Sequence, residues 1–188
     1  MLSRLPRLTL GHLWVVAALA VVVADTLASP VEPDDFWHYL EAGRYMVQSG
    51  ALLDADRYSF TAPGRPFVNL HWGSQVLFYL GYRLGGIPLL VVLHAVSTGA
   101  AFALVFMTAH RRAASLRLAA VATILEFVVG WPCLTLRPQA FSVLLFALTV
   151  FLVELDRMLA LPAVFVIWAN LHAAFPLEIG RASCRERV

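Results

Sequence analysis

Asp34, His38, Glu41 and Tyr45 follow one another at intervals of four, three and four residues, which puts their side chains on one face of a helix. Two carboxylates and an imidazole sharing an aqueous face can take a proton, ligate a metal or orient a phosphate. The opposite face carries Phe36, Leu40 and Val47, with Tyr39 and Met46 beside them. The pattern predicts a helix from Asp35 to Ser49, capped by Asp34-Asp35 and closed by a left-handed Gly50. An amphipathic helix of this kind is expected to lie on a membrane surface.

Other residues with chemical potential are scattered. Glu32 stands just before the helix. Asp54 and Asp56 lie in LLDADRYSFTAPGRPFVNLHW, Arg137 in LTLRPQ, and Asn170 and His172 in WANLH. Each also has a plainer reading. Asp34 and Asp35 can serve only as caps, His38 can be a surface histidine, and Glu41 can pair with Arg44 at i, i+3. Asp56 can be a turn acid. Arg137 can snorkel to headgroups, and Asn170 with His172 can bond one helix to another.

The elements that must hold these residues are apolar. Of 188 residues, 60% are hydrophobic and 14% charged, and the mean hydropathy is +0.75. Soluble domains are typically about 45–50% apolar and about 25% charged, so composition points to a multi-pass, all-α membrane protein. All 14 basic residues are arginine, and the formal charge of +2 argues for no nucleic-acid partner. Two cysteines make no disulfide framework.

Five apolar segments stand out, at 12–29, 87–109, 118–134, 140–154 and 158–175. The fourth is short against the roughly 20 residues a crossing needs. The first lacks a small-x-small cleavage site and reads as a retained anchor. Arg4 and Arg7, then Arg111, Arg112 and Arg117, then Arg157 crowd three short segments. The positive-inside rule makes these cytoplasmic, which places the N-terminus inside and makes 30–86 a long external first loop. Besides the helix after Asp35, that loop holds a short β-prone RYSFT and a second interfacial or re-entrant helix at 72–84. Gly85-Gly86 and Pro88 separate this helix from the second span. Within the spans, Asp25 lies near an end. Glu126 lies near the middle of the third, where His94 is a candidate partner, and an intramembrane acid marks a transporter as the competing class.

The order acid-x-Asp-x-x-Trp-His, Leu-x-x-Gly-Arg, Asp-x-aromatic-Ser-aromatic-Thr-x-x-Gly-x-Pro and His-Trp resembles the first external loop of the GT-C superfamily. These multi-pass, mannosyltransferase-like enzymes take a sugar from a polyprenyl-phosphate donor. The matching residues are Glu32, Asp34, Trp37, His38, Gly43, Arg44, Asp56, Ser59, Thr61, Gly64, Pro66, His71 and Trp72. Arg137–Gln139 and Trp168–His172 resemble later landmarks of the same family. The resemblance implies that Asp34, with Glu32, is the catalytic base or the ligand of a divalent metal. It further implies that His38, Asp56, Arg137 and His172 bind the donor, and that the protein sits in the inner (plasma) membrane. Family members usually open the loop with Asp where this chain has Glu32, and they have roughly twice as many spans.

Residues 1–177 therefore read as the N-terminal part of a GT-C-like domain. The charged EIGRASCRERV, with 178–188 as its body, reads as an artefactual or disordered tail. A chain ending there is expected to be inactive alone, and a non-catalytic fragment is a further reading beside a transporter or flippase for a lipid-linked sugar or ion.

Overall fold

A computed structural model describes residues 9–31, 35–61, 63–66 and 68–173. Six α-helices follow in order: α1 Leu10–Ala28, α2 Phe36–Ser49, α3 Trp72–Ala113, α4 Leu116–Gly130, α5 Gln139–Glu154 and α6 Leu161–Leu171. Short 3₁₀ turns, Trp131–Cys133 and Met158–Ala160, follow α4 and precede α6. Among the described residues there is no strand; RYSFT, expected to be β-prone, lies in a turn beside the isolated bridge of Ala55 with Pro66.

Three elements are long and apolar enough to cross a membrane: Leu10–Ala28, Trp72–Ala113 and Leu116–Cys133. The fourth and fifth apolar segments form shorter helices, Gln139–Glu154 and Met158–Leu171. At 1.5 Å per residue, the 16 residues of α5 reach about 24 Å, short of a hydrocarbon core of about 30 Å. Leu13, Val16 and Val21 on α1, Val96 on α3, and Leu125, Val128 and Val129 on α4 are all exposed. Large apolar side chains exposed in this number on three long helices suit lipid and not water.

The long third element is not one rod. Gly85 (φ −154°, ψ 16°) and Gly86 (φ 65°, ψ −160°) leave helical geometry, the second in a region that essentially only glycine occupies. A Cβ placed on Gly81 would stand 2.7 Å from Leu90 Cδ2, although nine residues of straight helix would separate them by about 13 Å. The limbs 72–84 and 87–113 therefore fold back on each other, as the Gly-Gly-x-Pro signal predicts.

The chain alternates between two ends. At one, Gly11 of α1 abuts the Leu116 side chain of α4, and Arg112 at the close of α3 pairs with Glu154 at the close of α5, 2.7 Å apart. At the other, the Asp25 carboxylate accepts the Trp131 indole N–H at 2.9 Å, tying the end of α1 to the turn after α4. The arginine-rich links thus share one end. The ends of α1, α4 and α6 and the starts of α3 and α5 share the other.

α2 corrects one expectation. Its apolar stripe does not face lipid: Phe36 and Leu40 are buried with Phe78 and Leu90 of α3, and Leu136 and Phe141 pack beside them. Gly43 explains the closeness, since a Cβ there would collide with the Gln75 carbonyl and stand 2.8 Å from Tyr79 Cβ. Gly50 closes the helix with φ 67°, as its position predicts. Asp35 occupies the N-cap, but its side chain makes no capping bond.

Candidate functional site

Two motif residues far apart in sequence meet at the second end of the bundle. The Trp72 indole N–H, at the start of α3, donates to Asn170 Oδ1 of α6 at 3.1 Å across 98 positions. Gly73 permits this approach, since its Cβ would lie 2.6 Å from the Asn170 carbonyl oxygen. The contact brings His71, at the N-cap of α3, to His172, just past α6, with ring centroids 5.0 Å apart.

His172 is held from behind. The Trp168 indole N–H donates to Ser142 Oγ at 2.7 Å, and Ser142 Oγ lies 2.8 Å from His172 Nδ1. The indole can only donate, so the serine hydroxyl is free to donate to Nδ1, which leaves Nε2 carrying the proton of the neutral ring. Trp168 is 2% exposed and anchors this relay.

Tyr39 of α2 completes the cluster, its ring 6.3 Å from that of His71. Burial and then the Asp35 carboxylate raise its pKa above the ordinary phenol value, and the nearby charge of Arg137 opposes them. Burial lowers the pKa of His71. Arg137 lies in the link entering α5, and its backbone N–H bonds the Thr135 carbonyl at 2.7 Å.

Three helices begin here, α2, α3 and α5, and none has a side-chain cap. Their first two turns share one packing cluster, with Phe78 and Phe141 rings 5.7 Å apart. Uncapped helix starts present backbone N–H groups and the positive end of the helix dipole. With Arg137 beside them, the local chemistry favours an anion.

Of the residues named from sequence, the structure brings Arg137 and His172 to this cluster. His38 and Asp56 sit together elsewhere. The His38 ring packs edge-on to Tyr58 at 4.9 Å, and Asp56 Oδ1 accepts from Ser59 N at 2.8 Å and Tyr58 N at 3.0 Å. These backbone bonds, the Ser59 one first, lower the Asp56 pKa. Asp56 thus organises the loop turn. Arg57 lies 4.3 Å over the Tyr45 ring, so the loop covers the polar face of α2 that the periodicity expects to be open. Glu41 does pair with Arg44, at 2.7 Å.

Glu32 and Asp34, the expected catalytic and metal-binding acids, lie outside the described residues, as do Leu177 and the tail 178–188. Among the described residues, no three of His, Cys, Asp and Glu gather as a metal site. His94 does not pair with Glu126, because its Nε2–H donates to the Leu134 carbonyl at 3.1 Å. Glu126 instead lines a separate apolar cavity of about 300 Å³ between α3, α4 and α5.

Sequence reasoning left Tyr39, Ser142 and Trp168 outside the candidate site. Tyr39 borders the apolar stripe and Ser142 lies in a greasy run, so local periodicity carries no sign of them; Trp168 was visible only as the first residue of the Trp168–His172 landmark. His71 was visible only through the His-Trp motif.

No protein-family model, curated protein or solved structure matches the chain. What the fold defines is a helical protein with three helices able to cross a membrane by length and composition.

Proposed function

We propose that the chain forms part of a membrane glycosyltransferase of GT-C type, moving a sugar from a polyprenyl-phosphate donor to an acceptor at the outer face. In this reading Arg137, His71 and His172 receive the donor phosphate, and Asp34 with Glu32 supplies the base or holds a divalent metal. α5 and α6 complete five crossings of the inner (plasma) membrane, 30–86 is external, and the N-terminus is cytoplasmic. His38 and Asp56 shape the loop over α2 and stand at the edge of the donor site.

One observation carries the proposal. The His-Trp and Asn-x-His landmarks, 98 positions apart, are joined by a direct hydrogen bond beside Arg137 and three uncapped helix starts. Phosphate needs fixed donors and positive charge, and this end concentrates both. The collection of the arginine-rich links at the opposite end is compatible with the positive-inside arrangement.

The test is binding of polyprenyl phosphate against the uncharged polyprenol in proteoliposomes, followed by sugar transfer from a radiolabelled donor. The phosphate should bind at least tenfold more tightly, and Arg137→Ala should remove about that factor, the size of one charge-assisted contact. Equal binding of phosphate and alcohol would discard the reading. Glu126→Gln separates the competing class: a transporter centred on the α3–α4–α5 cavity loses function with it, whereas the transferase does not.

A further inference from the structure

A second cavity opens at the same end, on the other side of the link 134–137. Its volume is about 510 Å³, and its walls come from the last turn of α1, the turn after α4 and the second limb of α3. α1 and α4 both end at this cavity, so the negative ends of two helix dipoles lie beside it.

Its side-chain atoms also accept. Thr26 Oγ1 donates its proton to the Val22 carbonyl at 2.8 Å, and Ser29 Oγ donates to the Asp25 carbonyl at 2.9 Å. Only oxygen lone pairs remain on either hydroxyl. His94 is 7% exposed and spends its Nε2–H on Leu134, so Nδ1 of the neutral ring is an acceptor. Among the described residues no donor meets that nitrogen. The Thr135 hydroxyl, also on the wall, can accept as well as donate, and the Trp131 indole N–H is committed to Asp25. That bond places a carboxylate beside the indole and leaves the ring free to face a cation. Among the described residues no arginine lines the cavity.

A cavity with accepting oxygens, an accepting nitrogen, a carboxylate at its rim and an aromatic wall selects a positively charged donor. We propose that it binds a primary ammonium group of the ethanolamine type, held by Thr26, Ser29 and His94 with Asp25 as counter-charge. The same chemistry is offered by the phosphatidylethanolamine headgroup and by a free small amine. The inference stands independently of the phosphate reading, since Asp25, Thr26, Ser29 and His94 are none of the residues assigned to the phosphate.

The experiment reconstitutes the full chain in phosphatidylcholine nanodiscs containing phosphatidylethanolamine and measures retained lipid by native mass spectrometry. Phosphatidylcholine carries the same phosphate but a quaternary nitrogen without N–H donors. Wild type should retain the ethanolamine lipid about tenfold over the choline lipid, the scale of one charge-assisted hydrogen bond. Asp25→Asn keeps an oxygen for Trp131 and should abolish most of that preference at an unchanged unfolding temperature. Thr26→Val with Ser29→Ala should also reduce it. Free ethanolamine distinguishes the sources: saturable binding of the amine in pure phosphatidylcholine identifies a soluble ligand, and its absence beside a lipid preference identifies the headgroup. Equal retention of both lipids with no ethanolamine binding overturns the proposal, as does a preference that survives Asp25→Asn and the double variant intact.

Discussion

Two regions lie back to back across residues 134–137, and they are built with opposite polarity from the same parts. On the Arg137 side α2, α3 and α5 start, with the end of α6 among them; on the His94 side α1 and α4 stop, beside the start of the second limb of α3. The first presents backbone N–H groups, a guanidinium and two imidazoles, and the second presents carbonyls, hydroxyl lone pairs and a carboxylate. A bundle of alternating helices always assembles both kinds of terminus at each end. What distinguishes these regions is the side chains that predominate beside the helix ends: Arg137 and two imidazoles, with Asp35 among them, on one side, and a carboxylate with hydroxyl lone pairs on the other.

The sharpest way to separate the regions is Gly43→Leu. Four extra carbons must enter the contact with the Gln75 carbonyl and Tyr79, at a cost of about 3 kcal/mol or more. Thermal unfolding in detergent should register that loss. Phosphate binding should fall with the displacement of Tyr39, and ethanolamine-lipid retention should persist, because α2 contributes no wall to the second cavity. If both binding activities vanish while the chain is still folded, the two regions are one site and the contrast collapses.

A smaller effect is expected from Ser142→Ala. It leaves the buried Trp168 N–H unpaired and releases His172 Nδ1, which should cost about 1–3 kcal/mol. Nitrogen-15 spectra of the histidine side chains should show His172 losing its preference for the Nε2–H tautomer.

Acid should act on the first region by way of His71. Burial holds its pKa below the ordinary value of about 6.5, so between these two values the unfolded chain binds more protons than the folded one. The stabilisation from keeping His71 neutral is complete above about pH 6.5 and is lost as pH falls towards the folded pKa. Unfolding temperatures measured between pH 5 and 8 should slope downward on the acid side for wild type, and less so for His71→Asn.

The least consequence is predicted for Arg44→Ala. Its partner Glu41 is only i+3 distant and both side chains are about half exposed, so solvent and salt screen the pair. A measurable drop in unfolding temperature would show that the loop over α2 is held more tightly than its contacts indicate.

Much of the local architecture was legible in the sequence. Gly50 marked the end of α2, and Gly85-Gly86 with Pro88 marked the reversal in α3, since each acts through its own backbone. The Glu41–Arg44 pair followed from helix spacing alone. What covers a helix face does not follow from spacing. The apolar stripe of α2 has the same pattern whether it meets lipid or Phe78, and only Gly43, silent in a periodicity count, admits the close approach. The fourth apolar segment was short already in the sequence, but the fifth, 18 residues as read at 158–175, gave no sign that its helix α6 would span only Leu161–Leu171. His38 and Asp56 lay near Asp34 in sequence but turned to serve the loop. Tyr39, one position along from His38, turned to the histidine pair. One step along a helix is a rotation of about 100°, enough to exchange one neighbourhood for another.

The Trp72–Asn170 bond also has a consequence in time. Its two partners are separated by 98 positions, and at about 5–20 residues per second of synthesis the indole emerges some 5–20 s before its acceptor exists. For that interval the first limb of α3 can settle on α2 but His71 has no His172 to face. The end that holds His71 and His172 is therefore completed late, when α6 arrives. A ligand present during synthesis meets an open vestibule first and a finished site only afterwards.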